Sequence, residues 1–109
     1  MGGIARGNGG NPVLSQTGGG PGCSQNLTSA TLECSSNVFI GGKGVVRAGD
    51  RMQIHNKSGC TTEQPALSSY SSTVKVNGKG VGRIGDNYQG DGTNIIKPNP
   101  DYTSTVFCG

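Results

Sequence analysis

The 109-residue chain has few apolar residues: Trp is absent, only 2 Phe and 3 Tyr are present, and hydrophobic residues make up 30%. An ordinary globular domain carries nearly half. We therefore expect one domain, spanning residues 1–109, whose core is too small to stabilise it alone. A metal ion, disulfides or a partner chain must supply the remaining stability.

Long apolar runs and long helices are also missing. The apolar runs reach three to four residues, as at 38–40, which excludes a transmembrane helix. Residues 1–12 lack the apolar stretch of a secretory signal peptide, so we expect none. Because 21 Gly and 5 Pro interrupt nearly every ten-residue window, we expect no significant helix.

Charged and catalytic residues are sparse. The net charge is +3, and the nine basic residues are scattered singly, which argues against a nucleic-acid partner. The single His, the lack of neighbouring carboxylates and the lack of a recognisable nucleophile leave no catalytic base or nucleophile to assign. We expect neither enzymatic activity nor a small-molecule substrate.

The sequence repeats at an offset of 36 residues. Residues 35–50 read SSNVFIGGKGVVRAGD, and residues 71–86 read SSTVKVNGKGVGRIGD. The segment TSTVFCG at 103–109 repeats the opening of this unit, and GIARGN at 3–8 resembles its second half. The chain therefore consists of about three units, of which the third is divided between two half-units.

Each unit predicts a β-hairpin. The first arm alternates as Val-x-Val/Ile, and Gly41-Gly42 and Asn77-Gly78 suit the two positive φ angles of a type I′ turn. Gly42 and Gly78 are therefore assigned as turn residues. The hairpins are separated by segments of unlike composition, which we interpret as loops: residues 9–34, 51–70 and 87–102.

An Arg and an Asp recur three residues apart where each hairpin ends. We interpret them as ion pairs that fix the exit of the hairpin, with a charged contact to a partner as the alternative. The pairs are Arg47 with Asp50, Arg83 with Asp86 and, as a degraded third copy, Arg6 with Asn8.

These repeats resemble the PAAR-repeat proteins, which cap the central spike of contractile injection machines. The family unit reads roughly V-x-I-N-G-x-P-A-A-R-x-G-D, against VFIGGKGVVRAGD and VKVNGKGVGRIGD in this chain. Gly44 and Gly80, each preceded by Lys, stand where the family motif has proline. In this respect the chain looks more similar to the tail-spike tips of T4-like phages than to typical type VI secretion members.

The resemblance implies an all-β fold: a small cone of short hairpins with pseudo-threefold symmetry, whose flat base docks on a trimeric β-helical spike, one tip per trimer. It implies a structural, membrane-piercing tip in the tail baseplate of a virion, assembled in the host cytoplasm and directed at the outer membrane of a target cell. One alternative is a secreted tip protein of a bacterial type VI system or related injection machine. A second alternative is a secreted binding module stabilised by metal or disulfides.

Members of this family commonly hold a metal ion near the tip, bound by His and Cys from the loops. The resemblance therefore implies one metal ion, with zinc favoured over iron, bound by His55, Cys60 and Cys23. The fourth ligand stays open among water and three side chains: Asp91, Cys108 and Cys34.

The same residues allow other interpretations. His55 suits a solvated loop side chain equally, and four Cys can form two disulfides in three ways. Cys34 and Cys108 lie at hairpin edges, where small buried thiols are a further alternative to ligands.

Overall fold

The computed structural model describes residues 2–102 and 106–108, without the side chain of Cys108. This part of the chain is all β, as expected, and contains no helix long and apolar enough to cross a membrane. Its strands are β1 Gly2–Gly3, β2 Pro12–Gly20, β3 Gln25–Ala30, β4 Phe39–Ile40, β5 Lys43–Gly44, β6 His55–Asn56, β7 Thr62–Glu63, β8 Ala66–Leu67, β9 Lys75–Val76, β10 Lys79–Gly80, β11 Tyr88–Gln89, β12 Asn94–Ile96 and β13 Phe107–Cys108. Two single-turn 3-10 helices cover Pro21–Cys23 and Ser58–Cys60.

The two predicted hairpins are present. Strand β4 pairs antiparallel with β5, and β9 pairs with β10. Their turns have positive φ at both central residues, +56° and +82° at Gly41-Gly42 and +55° and +76° at Asn77-Gly78, as a type I′ turn requires. Strand β1 pairs with β13 in the same antiparallel way, so the two half-units at the chain ends form the third hairpin. Residues 103–105 and 109 of the terminal half-unit lie outside the described residues.

The second arms of the three hairpins meet in a closed ring of hydrogen bonds. The amide of Ala5 donates to the carbonyl of Gly82 at 2.9 Å, that of Gly82 to Val46 at 2.8 Å, and that of Val46 to Ala5 at 3.1 Å. Bridges between neighbouring arms repeat the same relation three times: Ile4 with Arg83, Val45 with Arg6, and Val81 with Arg47. This cyclic pattern relates the three arms by a pseudo-threefold axis that passes through the ring.

Gly44 and Gly80 lie where another part of the backbone approaches closely. A Cβ on Gly44 would collide with the carbonyl oxygen of Ser35, and a Cβ on Gly80 would collide with the equivalent oxygen of Ser71. The two collisions are related by the repeat, so both units require the same small residue.

Buried apolar side chains form two clusters along the axis. The first contains Ile4, Val45 and Val81, and the hairpin residues Ile40 and Val76 pack against it. The second joins ring residues to the segments that follow each arm: Ala5, Val13, Val46, Met52, Leu67, Tyr88 and Ile96. Because the hairpins pack on one cluster and the later segments on the other, the hairpins and the loops lie at opposite ends of the molecule.

Much of the chain that looks like loop in the sequence is sheet. Strand β2 pairs with β3 on one side and β12 on the other, so the Gly-rich segment from 12 to 30 forms a hairpin of its own. Strand β6 likewise pairs with β7, and β8 with β11. These strands build the end of the molecule opposite the three repeat hairpins, which we call the loop end.

Candidate functional site

The structure brings together both predicted Arg–Asp pairs. The carboxylate of Asp50 accepts the backbone amide of Arg47 at 2.9 Å, its Nε at 2.9 Å and its Nη2 at 3.1 Å. Asp86 accepts the same three groups of Arg83 at 2.7, 2.9 and 3.0 Å. Both carboxylates are buried, at 5% and 6% exposure. The hydrogen bond from Arg47 to Asp50 raises the pKa of Arg47, and the geometry of both pairs serves to hold the exit of each arm.

The predicted third pair, Arg6 with Asn8, is wrong, because Arg6 bonds to a different residue. The amide of Arg6 donates to Oδ1 of Asn11 at 2.9 Å. Asn11 is the true equivalent of the two aspartates, because its carbonyl accepts an amide from a later segment of the chain, as theirs do. Two additional residues in this turn, Gly9 and Gly10, move the acceptor along the chain.

The guanidinium of Arg6 has different partners from those of Arg47 and Arg83. It lies over the ring of Tyr102, 3.6 Å from the centroid, and donates to the carbonyl of Gly41 at 3.1 Å. These contacts tie the third arm to the turn of the first hairpin. The turn of the second hairpin is tied similarly, since Oδ1 of Asn77 accepts from Arg47 Nη1 at 3.1 Å.

The hairpin end exposes apolar side chains at equivalent positions around the axis. Val38, Val74 and Val106 are 38%, 37% and 39% exposed. Their carbonyls accept the amides of Val45, Val81 and Ile4 respectively, which fixes their equivalence. The next residue in each hairpin is also exposed, and we call the whole set the hairpin face: Val38, Phe39, Val74, Lys75, Val106 and Phe107.

The hairpin face is unusual for a chain with so little apolar material. Phe39 and Phe107, the only two phenylalanines, are each 57% exposed. Exposed apolar side chains repeated around one axis indicate a place where another molecule binds, and Phe39 also lines the cleft beside Cys34. Lys75 occupies the equivalent position in the second unit, so the face carries one positive charge among apolar groups.

At the loop end, Cys23 and Cys60 form a disulfide. Each follows a glycine in a 3-10 turn, and each has positive φ, +62° and +63°. Two of the three predicted metal ligands are therefore adjacent, but joined to each other. The sequence allowed several disulfide pairings among the four cysteines, and the structure contains one of them, Cys23 with Cys60.

His55 lies buried beside a residue that the sequence did not single out. Its Nε2 is 3.1 Å from Oε2 of Glu63, and its Nδ1 is 2.8 Å from the carbonyl of Asn56. The contact with Glu63 is an ion pair when the imidazole is doubly protonated. Glu63 lies eight residues away, and only the β6–β7 pairing, which has no strong turn signal, brings it opposite His55.

Of the proposed fourth ligands, Asp91 contacts Glu63 only through its backbone amide, which donates to Oε1 at 2.9 Å. Asp91 forms an ion pair with Lys57, with Oδ2 3.0 Å from Nζ. Cys34 is partly buried in an open cleft beside Lys43 and Arg47, and burial raises the pKa of its thiol. The side chain of Cys108 lies outside the described part of the structure.

These positions do not fit the predicted metal site. Among the residues that the structure describes, no three His, Cys, Asp or Glu side chains converge. The two sulfurs are bonded to each other, and the third loop supplies neither His nor Cys. The zinc ion therefore stays a prediction, and the function proposed below does not depend on it.

Comparison with known proteins adds one match. A sequence model of the family described as PAAR motif matches residues 31–96, which cover both complete repeat units and more than half of the chain. No curated protein matches the sequence.

Proposed function

The chain belongs to the PAAR-motif family of structural spike-tip proteins of injection machines, and on that premise we propose that it is the membrane-piercing tip of a contractile phage tail. In this proposal it caps a trimeric β-helical spike in the baseplate of the virion, one copy per trimer. The hairpin face contacts the spike, and the loop end faces the outer membrane of the target cell.

The observation that carries the proposal is the threefold hairpin face. A trimeric spike ends in three identical chains, and a single capping chain can contact all three alike only if it repeats its own surface three times. Val38, Val74 and Val106 meet this requirement, since they are related by the ring and nearly equal in exposure. The edges of the short hairpin strands also suit strand addition by a neighbouring β-structure.

The mechanism in this proposal is mechanical. Contraction of the tail drives the spike forward, and the tip must transmit that force without deforming. The ring of backbone hydrogen bonds joins all three arms, and the partly buried Arg47–Asp50 and Arg83–Asp86 pairs brace the exits of two of them. A chain of 37 × 27 × 24 Å concentrates the load on a small area of membrane. The proposal needs no catalytic group.

The proposal is tested by binding to a trimeric β-helical spike protein of a contractile phage tail. The Phe39→Ser, Phe107→Ser variant removes the two largest apolar groups of the hairpin face, and we expect it to weaken binding by about a hundredfold. Ile54→Ser is the matched control, because Ile54 is 63% exposed but follows the second arm toward the loop end. Unchanged affinity of the double variant, with folding verified by circular dichroism, contradicts the proposed docking surface.

A type VI secretion spike is the alternative partner. The same hairpin face suits any blunt trimeric end, because the argument depends on threefold symmetry and not on the machine. Binding to the spike of a secretion system, with no binding to a phage spike, assigns the chain to secretion. Binding to neither, together with a stable monomer, favours a secreted binding module.

A further inference from the structure

We infer that the loop end is locked by oxidation of Cys23 and Cys60, and that this disulfide takes the place of a metal ion there. The lock is open under reducing conditions and closes under oxidising ones. That it closes when the particle leaves the host cytoplasm rests on the proposed function, whereas the redox response of the loop end does not depend on which spike the hairpin face binds.

The two cysteines occupy matching turns. Pro21-Gly22-Cys23 connects β2 with β3, and Ser58-Gly59-Cys60 connects β6 with β7. Gly22 and Gly59 have φ of +71° and +82°, followed by positive φ at each Cys. Two hairpins of unlike length therefore present their sulfurs from the same local geometry, which lets one bond join their tips.

The Gly18–Gly20 run lets these two hairpins approach each other. A Cβ on Gly19 would collide with the backbone carbonyl of Asn56, and a Cβ on Gly18 would lie 3.3 Å from Cβ of Ser58. Thr17 Oγ1 donates to the carbonyl of Asn56 at 3.4 Å along the same contact. The glycines therefore have a structural role, because they bring β2 against β6 beside the disulfide.

Within the described residues, few buried groups hold the two turns in place. Neither 3-10 turn contains a buried residue, and Cys60 itself is exposed. The third loop adds polar contacts beside them: the Lys57–Asp91 ion pair, and the amide of Asp91, which donates to Glu63 at 2.9 Å. Breaking the disulfide therefore loosens the turns locally, while the ring and both apolar clusters stay intact.

The chemistry is ordinary thiol–disulfide exchange with a small-molecule disulfide such as oxidised glutathione. The thiolate of the exposed Cys60 attacks one sulfur of the oxidant, which releases one thiol and leaves a mixed disulfide. The thiolate of Cys23 then attacks Cys60 Sγ, which releases the second thiol. Two protein thiols are oxidised to one disulfide, and one oxidant disulfide is reduced to two thiols. Cytosolic reductants drive the reverse reaction.

The test compares the full-length protein equilibrated with oxidised glutathione and with excess dithiothreitol. Alkylation and peptide mapping are expected to find Cys23 and Cys60 linked in the first sample and alkylated in the second. Hydrogen exchange at residues 18–24 and 56–62 is expected to rise by about tenfold or more on reduction. Exchange at the ring amides is expected to stay unchanged.

Two variants control the test. Cys34→Ser removes a free thiol away from the loop end and is expected to keep the redox response. The Cys23→Ser, Cys60→Ser variant is expected to exchange like the reduced protein under both conditions; if it does not fold, the wild-type comparison stands alone. The inference is overturned if both thiols stay free with the oxidant, or if reduction leaves exchange unchanged. It is also overturned if the reduced chain retains one zinc ion that protects the turns, which supports the metal instead.

Discussion

The amide of Gly82 donates a 2.8 Å hydrogen bond to the carbonyl of Val46, although the two residues lie 36 positions apart at the same place in consecutive repeats. Equivalent hydrogen bonds run from Val46 in the first unit to Ala5 in the third, and from Ala5 to Gly82 in the second. The three bonds therefore form a closed ring. The sequence repeat is therefore a spatial rotation: each unit places its arm one third of a turn from its neighbour. This relation gives a single chain a threefold face.

Gly82 is expected to tolerate no large side chain. A Cβ there would lie 2.9 Å from Cδ2 of Leu67 and 3.0 Å from Cγ1 of Val46, inside the ring. We expect Gly82→Val to lower the free energy of unfolding by about 1–3 kcal/mol through overpacking, as measured by urea denaturation. Lys79→Ala, a change at an exposed hairpin residue, is the control. Equal stability of the two variants contradicts the packing described for the ring.

Asp86 is expected to contribute to stability through its hydrogen bonds with Arg83. Asp86→Asn removes the charge and one of the acceptor oxygens from a carboxylate that is 6% exposed, so we expect a loss of about 1–3 kcal/mol. Asp91→Asn tests an exposed ion pair instead and is expected to change stability little. The difference between the two denaturation midpoints measures the effect, and a larger loss for the Asp91 variant argues against the bracing role.

Tyr88 is expected to make the protein less stable at alkaline pH. Burial raises the pKa of its phenol far above the ordinary value of about 10. Above that ordinary value the unfolded chain releases the proton while the folded chain keeps it, so the free energy of unfolding falls as the pH rises. Tyr88→Phe is expected to flatten this decline. The check is denaturation at several pH values above about 9, and an identical slope for both proteins rejects the expectation.

Gly19 is expected to control the approach of the two hairpin tips at the loop end. Gly19→Ala places a Cβ against the carbonyl of Asn56, so β2 must move away from β6. We expect the oxidised fraction of Cys23 and Cys60 at a fixed glutathione ratio to fall in this variant. Gln16→Ala, on an exposed position of the same strand, is the control. An unchanged oxidised fraction shows that β2 does not position Cys23.

The three hairpins were predictable from sequence, but several of their partners were not. Gly42 and Gly78 identify type I′ turns by local backbone preference alone, and the Arg–Asp spacing is local too. Asn11 is different: two inserted residues shift it out of register with Asp50 and Asp86, and only its contacts in the fold, with the amides of Arg6 and Thr31, show the equivalence. A search for residues at a fixed spacing misses Asn11, because the insertion changes its distance from Arg6 along the chain while the fold keeps its position in space.

The loop end was the least predictable region. Its Gly-rich composition between 12 and 30 suggests loop, because Gly has low strand propensity, yet tertiary packing against β6 requires those glycines. Glu63 was missed for a similar reason, since its pairing with His55 depends on a strand register that two-residue strands hardly signal. The Cys23–Cys60 disulfide likewise depends on how close two distant turns lie, which the sequence does not give.

The most direct test of the central claim is the native mass of the complex that forms when the chain is mixed with a trimeric β-helical spike protein. The account predicts one copy of the chain on three copies of the spike protein, because one threefold face occupies one trimer end. A complex of three copies on three, or no complex with any trimeric spike, contradicts it.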